Sequence, residues 1–98
     1  MNYHRRHRAD ENQSEIIEAF ERLGCSVVNL AQVGSGVPDL IVSKGGYSEF
    51  VEVKSGKAEL SAAQEEFREK TRGIVHTVRT VDDVTPIVNA MRFNRRSR

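Results

Sequence analysis

The stretch Gly36–Gly56, GVPDLIVSKGGYSEFVEVKSG, contains two runs of strand-forming residues on either side of a glycine pair. The apolar and β-branched residues at 39–43 and 48–54 predict two strands. Gly45 and Gly46 between them predict a tight hairpin turn. The two strands should therefore pair antiparallel, and the fold should be built on this hairpin.

Three charged side chains lie at the end of the hairpin away from the turn. Strand alternation sets Glu52 and Lys54 on one face, and antiparallel pairing brings Asp39 to the same edge, although a shift of one residue in register would separate them. Two adjacent carboxylates repel unless a cation lies between them, and Mg²⁺ prefers such oxygen ligands. Together with a nearby lysine, this set suits hydrolysis of a phosphodiester. The alternative is a surface ion-pair set, which contributes little to stability.

The remaining segments predict an α/β fold around the hairpin. Periodicity, caps and β-prone runs indicate, in chain order, a helix at 11–23, a strand at 25–31, a helix from Ser61 to Gly73, a strand at 74–80 and a short helix from Asp82 or Asp83. Ser61 and Gln64 form the sequence pattern of a capping box. The order αβββαβα predicts a mixed sheet flanked by helices, with the third and fourth strands parallel because a helix connects them.

The chain of 98 residues corresponds to one domain with uneven charge. Its ends carry seven of the 15 basic residues and no acidic one, whereas residues 10–91 carry eight basic and 14 acidic residues, a formal charge of −6. We therefore predict basic arms at 1–9 and 92–98 around a domain at 10–91. The arms either contact a polyanion or only aid solubility. No apolar run is long enough to span a membrane, and a single cysteine suits a reducing cytoplasm.

The order and spacing of these motifs resemble those of a known enzyme family. G-V-P-D at 36–39, followed after twelve residues by E-V-K at 52–54, resembles the signature of the PD-(D/E)XK nucleases. These motifs, with Gln64 at the start of the next helix, resemble the small stand-alone VRR-NUC domains in particular. The resemblance covers roughly residues 11–84 and implies a restriction-endonuclease-like αβββαβ core.

The resemblance also implies a role for each residue of the motif. Asp39, Glu52 and the backbone carbonyl of Val53 would hold Mg²⁺ or Mn²⁺. Lys54 would position or activate the attacking water, and Gln64 would lie near the metal. Many stand-alone relatives are homodimers that act on structured DNA, so the implied partners are duplex, branched or flapped DNA and a second copy of the chain. The expected setting is the cytoplasm of a bacterium or of a phage-infected host.

The first helix departs from the family pattern, which has an acid on its inward face. At about 100° per residue, Gln13 lies on the face of Ile16 and Phe20, whereas Glu15 is turned about 130° away. Three explanations are open. Gln13 replaces the acid through its amide oxygen, the helix is rotated so that Glu15 or Glu11 reaches the site, or the position has been changed in a way that silences the enzyme.

The sequence therefore supports two functions. The first is a metal-dependent DNA endonuclease, structure-selective or nonspecific, with its activity weakened by Gln13. The second is a non-catalytic DNA-binding protein on the same fold, with a site that has decayed at Gln13. In either case we expect DNA contacts from the arms, the glycine-rich loop and a nearby lysine: Arg5, Arg6, Arg8, Ser35, Lys57, Arg95 and Arg96.

Other polar and apolar groups have ordinary explanations. His76 lies in the middle of a strand and is expected to be a hydrogen-bonded structural histidine rather than a catalytic one. The charged run 65–70, EEFREK, is expected to be a solvated helix face with pairs four residues apart. Ile87, Met91 and Phe93 of the last helix would cover the domain's own core or form a dimer interface.

Overall fold

A computed structural model of the chain describes the backbone of residues 2–96 and the side chains of residues 11–91. The described part is an α/β fold with three α-helices and a four-stranded mixed sheet, in the predicted order. The elements are α1 (Asn2–Arg22), β1 (Ser26–Asn29), β2 (Leu40–Lys44), β3 (Tyr47–Val53), α2 (Ala62–Lys70), β4 (Val75–Val78), a 3₁₀ turn (Val81–Asp83) and α3 (Val84–Arg96).

Helix α1 is longer than predicted, because it begins at residue 2 rather than near residue 11. The segment 2–10 contains no glycine or proline that would interrupt a helix. The helix ends before Gly24, as predicted, and Gly24 has a φ of 93°, which glycine adopts readily. The Lys44 ammonium donates to the carbonyl of Leu23 at 2.5 Å, which stabilises this end of the helix.

The segments predicted as basic arms are largely helical in their backbone, since α1 begins at Asn2 and α3 ends at Arg96. Their basic side chains lie outside the described side chains, so their contacts with DNA stay a prediction: Arg5, Arg6, Arg8, Arg95 and Arg96. Across the part of the chain that is described, no helix is both long and apolar enough to cross a membrane.

The sheet has its strands in chain order, β1-β2-β3-β4. The pairs β1–β2 and β2–β3 are antiparallel and β3–β4 is parallel, which confirms the predicted pairing. In the central hairpin, Lys44 pairs with Tyr47 across the Gly45-Gly46 turn, and Leu40 pairs with Val51 near the open end. The strand pattern and the short turn together fix this register.

The hydrophobic core lies on one face of the sheet, under α1 and α3. Helix α1 contacts α3 and β1, and α3 also contacts β2. The core side chains are Ile16, Phe20, Cys25, Leu40, Val42, Val51, Val78, Val84, Ile87, Val88 and Met91. Ile87 and Met91 therefore cover the domain's own core. Leu23, directly after the last residue of α1, is 37% exposed.

Among the described residues, helix α2 covers the opposite face of the sheet. The Phe67 ring packs edge-on against Phe50, with 5.2 Å between ring centroids and an interplanar angle of 85°. No residue of α2 is fully buried. The predicted capping box is present, since the Ser61 hydroxyl accepts from the Gln64 amide and the Gln64 side chain accepts from the Ser61 amide. The capping box therefore fixes the first turn of α2, and the helix as a whole buries little of its surface against the sheet.

Candidate active site

Asp39 is held at the open end of the central hairpin by backbone groups on both sides. One carboxylate oxygen, Oδ2, accepts from the amide of Val53 on β3 at 2.8 Å. The carbonyl of Asp39 accepts from the amide of Leu30 at 2.6 Å. Pro38, directly before it, is fully buried and has a fixed φ. The position of this carboxylate is therefore set by the backbone, with one of its two oxygens already engaged.

Glu52 lies opposite Asp39, because the register that pairs Leu40 with Val51 continues by one residue. Glu52 is only 3% exposed, which is unusual for an acidic side chain. Its Oε2 accepts from the Nε2 of Gln64 at 2.8 Å. Asp39 and Glu52 therefore meet at one edge of the sheet, as the register predicted, and Gln64 contacts Glu52 there.

The pKa of Glu52 is raised from 4.5 to about 8. Burial is the largest cause, because it disfavours the charged form. The Asp39 carboxylate raises the pKa further through its charge and a hydrogen bond, whereas the positive charges of Lys54 and Arg68 lower it. Glu52 thus holds its proton at neutral pH unless a cation compensates the pair of carboxylates.

Lys54 follows β3 and is fixed by its own backbone. Its amide donates to the carbonyl of Val78 at 3.0 Å, which continues the parallel pairing of β3 with β4. The positive charge of its ammonium lowers the pKa of Glu52. Lys54 is half-buried.

Gln64 belongs both to the helix cap and to the site. Its Oε1 accepts from the amide of Ser61, and its Nε2 donates to Glu52. The cap therefore fixes the orientation of the side chain, and this orientation directs the amide nitrogen toward the carboxylate. The capping-box pattern predicted the first contact, whereas the second follows from where α2 crosses the sheet.

Arg68 is a site residue that the sequence reasoning missed. Its Nη2 donates to Thr77 Oγ1 at 2.8 Å and to the carbonyl of Val75 at 3.2 Å, both on β4. Thr77 pairs with Glu52 across β3–β4, so the guanidinium lies beside the carboxylate. The signal was the spacing of four residues from Gln64, which sets both side chains on the same helix face. The expected solvated face does exist, since Lys70 pairs with Glu66 in the open.

Gln13 lies inward, as helical geometry predicted, but on the other side of the sheet. It is half-buried, whereas Glu11 and Glu15 are exposed, which disfavours the rotated helix. Gln13 lines a depression of about 230 Å³ with Asn29, whose pairing with Leu40 sets it on the core face. Within the described residues, no hydrogen bond joins the Gln13 amide to either carboxylate of the site. Its predicted catalytic role stays a prediction.

The donor set of the site suits a hard divalent cation. Two carboxylates are held together in a place that disfavours their charge, and oxygen ligands are those that Mg²⁺ and Mn²⁺ prefer. Among the residues with described side chains, no three histidine, cysteine, aspartate or glutamate side chains form a metal-binding group. A cation at this edge would thus have Asp39 and Glu52 as its acidic ligands. The proposed ligand role of the Val53 carbonyl stays a prediction.

The two predicted DNA contacts outside the arms lie on different sides of α2. Ser35 has a φ of 57° between Gly34 and Gly36, which also have positive φ, and this loop packs against the first turn of α2. Lys57 is exposed and lines an open cavity of about 700 Å³ that also includes Arg68. Neither residue lies among the carboxylates, and both flank the site.

His76 is a structural residue in this fold, as expected. Its Nε2 lies 2.6 Å from Oε1 of Glu49, a buried acid on β3. His76 pairs with Val51, so the histidine and its partner lie on the core face, away from Glu52. No sequence pattern predicted this pair, because its two members are distant in the chain.

Comparison of the chain with family models, with curated proteins and with solved structures found no match. The resemblance to the PD-(D/E)XK nucleases therefore stays a prediction from the sequence motifs.

Proposed function

We propose that this chain is a Mg²⁺- or Mn²⁺-dependent DNA endonuclease of the PD-(D/E)XK type, with a restriction-endonuclease-like core. The observation that carries the proposal is the pair of the buried Glu52 and the half-buried Asp39, with Lys54 and Gln64 beside it. Burial and the neighbouring Asp39 disfavour the charged form of Glu52, which supports a site that a cation completes. A divalent cation would compensate the charge of the two carboxylates, and a phosphodiester would explain the adjacent lysine.

Each side chain has a distinct part in the proposed hydrolysis. Asp39 and Glu52 would hold the cation, which when bound supplies charge stabilisation and a more acidic water. The Lys54 ammonium would orient the attacking water and offset the negative charge that grows on the phosphate. Gln64 would fix the direction of the Glu52 carboxylate. The water oxygen forms a bond to phosphorus, the bond from phosphorus to the leaving sugar oxygen breaks, and that oxygen takes up a proton.

A non-catalytic DNA-binding protein on the same fold is the second candidate. The observation that favours it is the absence of a third acid, since Gln13 occupies the expected helix position and faces Asn29 within the described residues. Such a protein would bind DNA through its basic ends, with affinity that falls steeply with salt and does not depend on a divalent cation.

A nicking assay on supercoiled, linear and branched DNA separates the two candidates. We expect nicking with Mg²⁺ or Mn²⁺, none with EDTA, and none with the Lys54→Ala variant, which should still fold and bind DNA. Lys70→Ala is the matched control, because it removes an exposed lysine of α2 that pairs with Glu66. Equal cutting by Lys54→Ala and the parent would contradict the assigned role. DNA binding that ignores EDTA, without cleavage of any substrate, would favour the second candidate.

The substrate preference follows from what the fold contains. The described residues form one compact unit with no separate specificity module, which favours structure-selective or nonspecific cutting. One site per chain cuts one strand, so a homodimer remains the simplest way to cut both. Ile87 and Met91 are buried in their own core, so a dimer contact would have to use another surface.

A further inference from the structure

The cavity beside the proposed catalytic edge contains an arginine, Arg68, whose guanidinium is held in place but uses only some of its donors. This cavity, of about 700 Å³, lies between the 56–60 loop, α2 and β4. Arg68 lines it from α2, and Thr77 forms its wall next to Glu52. The cavity therefore opens directly from the place where a cleavable phosphate would lie.

The guanidinium of Arg68 is anchored through a single nitrogen. Both of its hydrogen bonds, to Thr77 and to Val75, come from Nη2. A guanidinium has five N–H donors, so the donors of Nη1 and Nε have no protein acceptor within the described part of the chain. The side chain is exposed. An arginine that is fixed on one side and open on the other is well suited to bind an anion.

The other charges around the cavity are mostly engaged elsewhere. Arg79 donates through Nη1 to the carbonyls of Gly56 and Ala58, which fastens the loop that carries Lys57. Asp83 accepts from the amides of Arg79 and Thr80, so its charge is directed at backbone. Two acids, Glu59 and Glu65, also line the cavity and are exposed, where solvent screens them. Of the cations that line the cavity, Arg68 is the one bound to Thr77, which pairs with Glu52.

We propose that Arg68 binds a backbone phosphate of the DNA next to the scissile bond, so that the substrate strand runs across the cavity between α2 and β4. This inference rests on the proposed nuclease function and adds the direction of the strand and one contact residue. Arg68 is a substrate-binding residue in this role. Its anchor on Thr77 fixes the distance between the bound phosphate and Glu52.

The test is the salt dependence of DNA binding in EDTA, measured by fluorescence anisotropy on a short duplex and on a fork. Each phosphate contact adds about 0.9 to the slope of log K against log salt on duplex DNA. We expect Arg68→Ala to lower the magnitude of this slope by about 0.9, the value of one phosphate contact. Arg68→Lys should keep the slope of the parent, because the positive charge remains. Arg22→Ala is the control: it removes the same charge from the α1 side, where Arg22 pairs with Glu18, and should leave the slope unchanged.

The same variants are then compared in the nicking assay. Arg68→Ala should raise KM more than it lowers kcat, and Arg68→Lys should restore part of the loss. An unchanged salt slope in Arg68→Ala, in a protein that binds and cuts DNA, would overturn this inference alone. An equal loss in Arg22→Ala would also overturn it, because the effect would then reflect overall charge. A parent protein that neither binds nor cuts DNA would overturn the proposed function as well.

Discussion

At the level of single residues, Glu52 should make the stability of the cation-free protein depend on pH. Its folded-state pKa of about 8 lies above the ordinary 4.5, so the folded protein keeps a proton that the unfolded chain releases. The contribution of this proton to the stability of the folded protein is complete below about pH 4.5 and is lost as the pH rises toward 8. We expect the free energy of unfolding by urea, measured without divalent cations, to fall between pH 5 and 8.

The control for this effect is Glu52→Gln, which keeps the shape and removes the titration. The difference in stability between the parent and the variant should change steadily with pH across the same window. A constant difference would show that Glu52 titrates normally in the folded protein. Addition of Mg²⁺ should raise the stability of the parent at pH 8 more than that of the variant, because a cation that binds only the folded state stabilises it.

Gln13 gives a second test at the residue scale. It lies at the end of the sheet that also carries Asp39, but beside Asn29 on the core face. A carboxylate at position 13 adds negative charge at this end of the sheet, which favours binding of the proposed cation through its charge and without direct contact. We expect Gln13→Glu to increase cleavage rates at low Mg²⁺ concentration. Asn12→Glu, which adds the same charge about 100° around the helix, should not. An unchanged or lower rate in Gln13→Glu would show that position 13 plays no part in the site.

At the level of elements, the first turn of α2 joins helix stability to site geometry. Ser61→Ala removes the hydroxyl acceptor of the cap and should cost about 1 kcal/mol of stability, with cleavage nearly unchanged. Gln64→Ala removes the reciprocal cap and also the donor to Glu52, so it should lower both stability and cleavage. Urea unfolding and initial cleavage rates measure the two effects. Equal activity losses in both variants would mean that the Gln64–Glu52 contact has no separate role.

The loop before Asp39 depends on a close approach to α2. A Cβ at Gly36 would lie 2.3 Å from the carbonyl oxygen of Ala63, and the φ of Gly36 is +84°. Gly34 has a φ of +74°, but its Cβ would meet nothing within 4 Å. We expect Gly36→Ala to cost about 3 kcal/mol and Gly34→Ala about 1 kcal/mol, because only the first adds a clash to the backbone strain. Similar unfolding midpoints for the two variants would contradict this difference.

The elements also show what the sequence could and could not predict. The hairpin and the Asp39–Glu52 juxtaposition were predictable, because strand alternation and a two-residue turn fix the register locally. The contacts of Arg68 were not predictable, since they depend on the register of β4 against β3, which no local sequence pattern determines. The Glu49–His76 pair depends on the same register. The spacing of apolar residues predicts which face of a helix or strand is buried. It does not predict how elements distant in the chain pair, because that depends on tertiary packing.

At the level of the whole molecule, stability and proposed chemistry lie on opposite faces of one sheet. The described apolar core is under α1 and α3, and the carboxylates are under α2. Because the described apolar core lies on the other face, the face under α2 can hold polar side chains. Among the described residues, few contacts hold α2 to the sheet itself: the Phe50–Phe67 ring pair and the hydrogen bonds from Gln64 and Arg68.

Because α2 has no fully buried residue, we expect it to open locally without unfolding of the domain. Amides near the end of α2, such as those of Phe67 and Lys70, should exchange with deuterium at least about tenfold faster, relative to their intrinsic rates, than the amide of Val51 in the central strand. Hydrogen exchange followed by NMR measures both.

Gln64→Ala should speed exchange in α2 and leave Val51 unchanged, because it removes a link between α2 and the sheet. Equal protection of α2 and Val51 in the parent would show that the helix and the core open together.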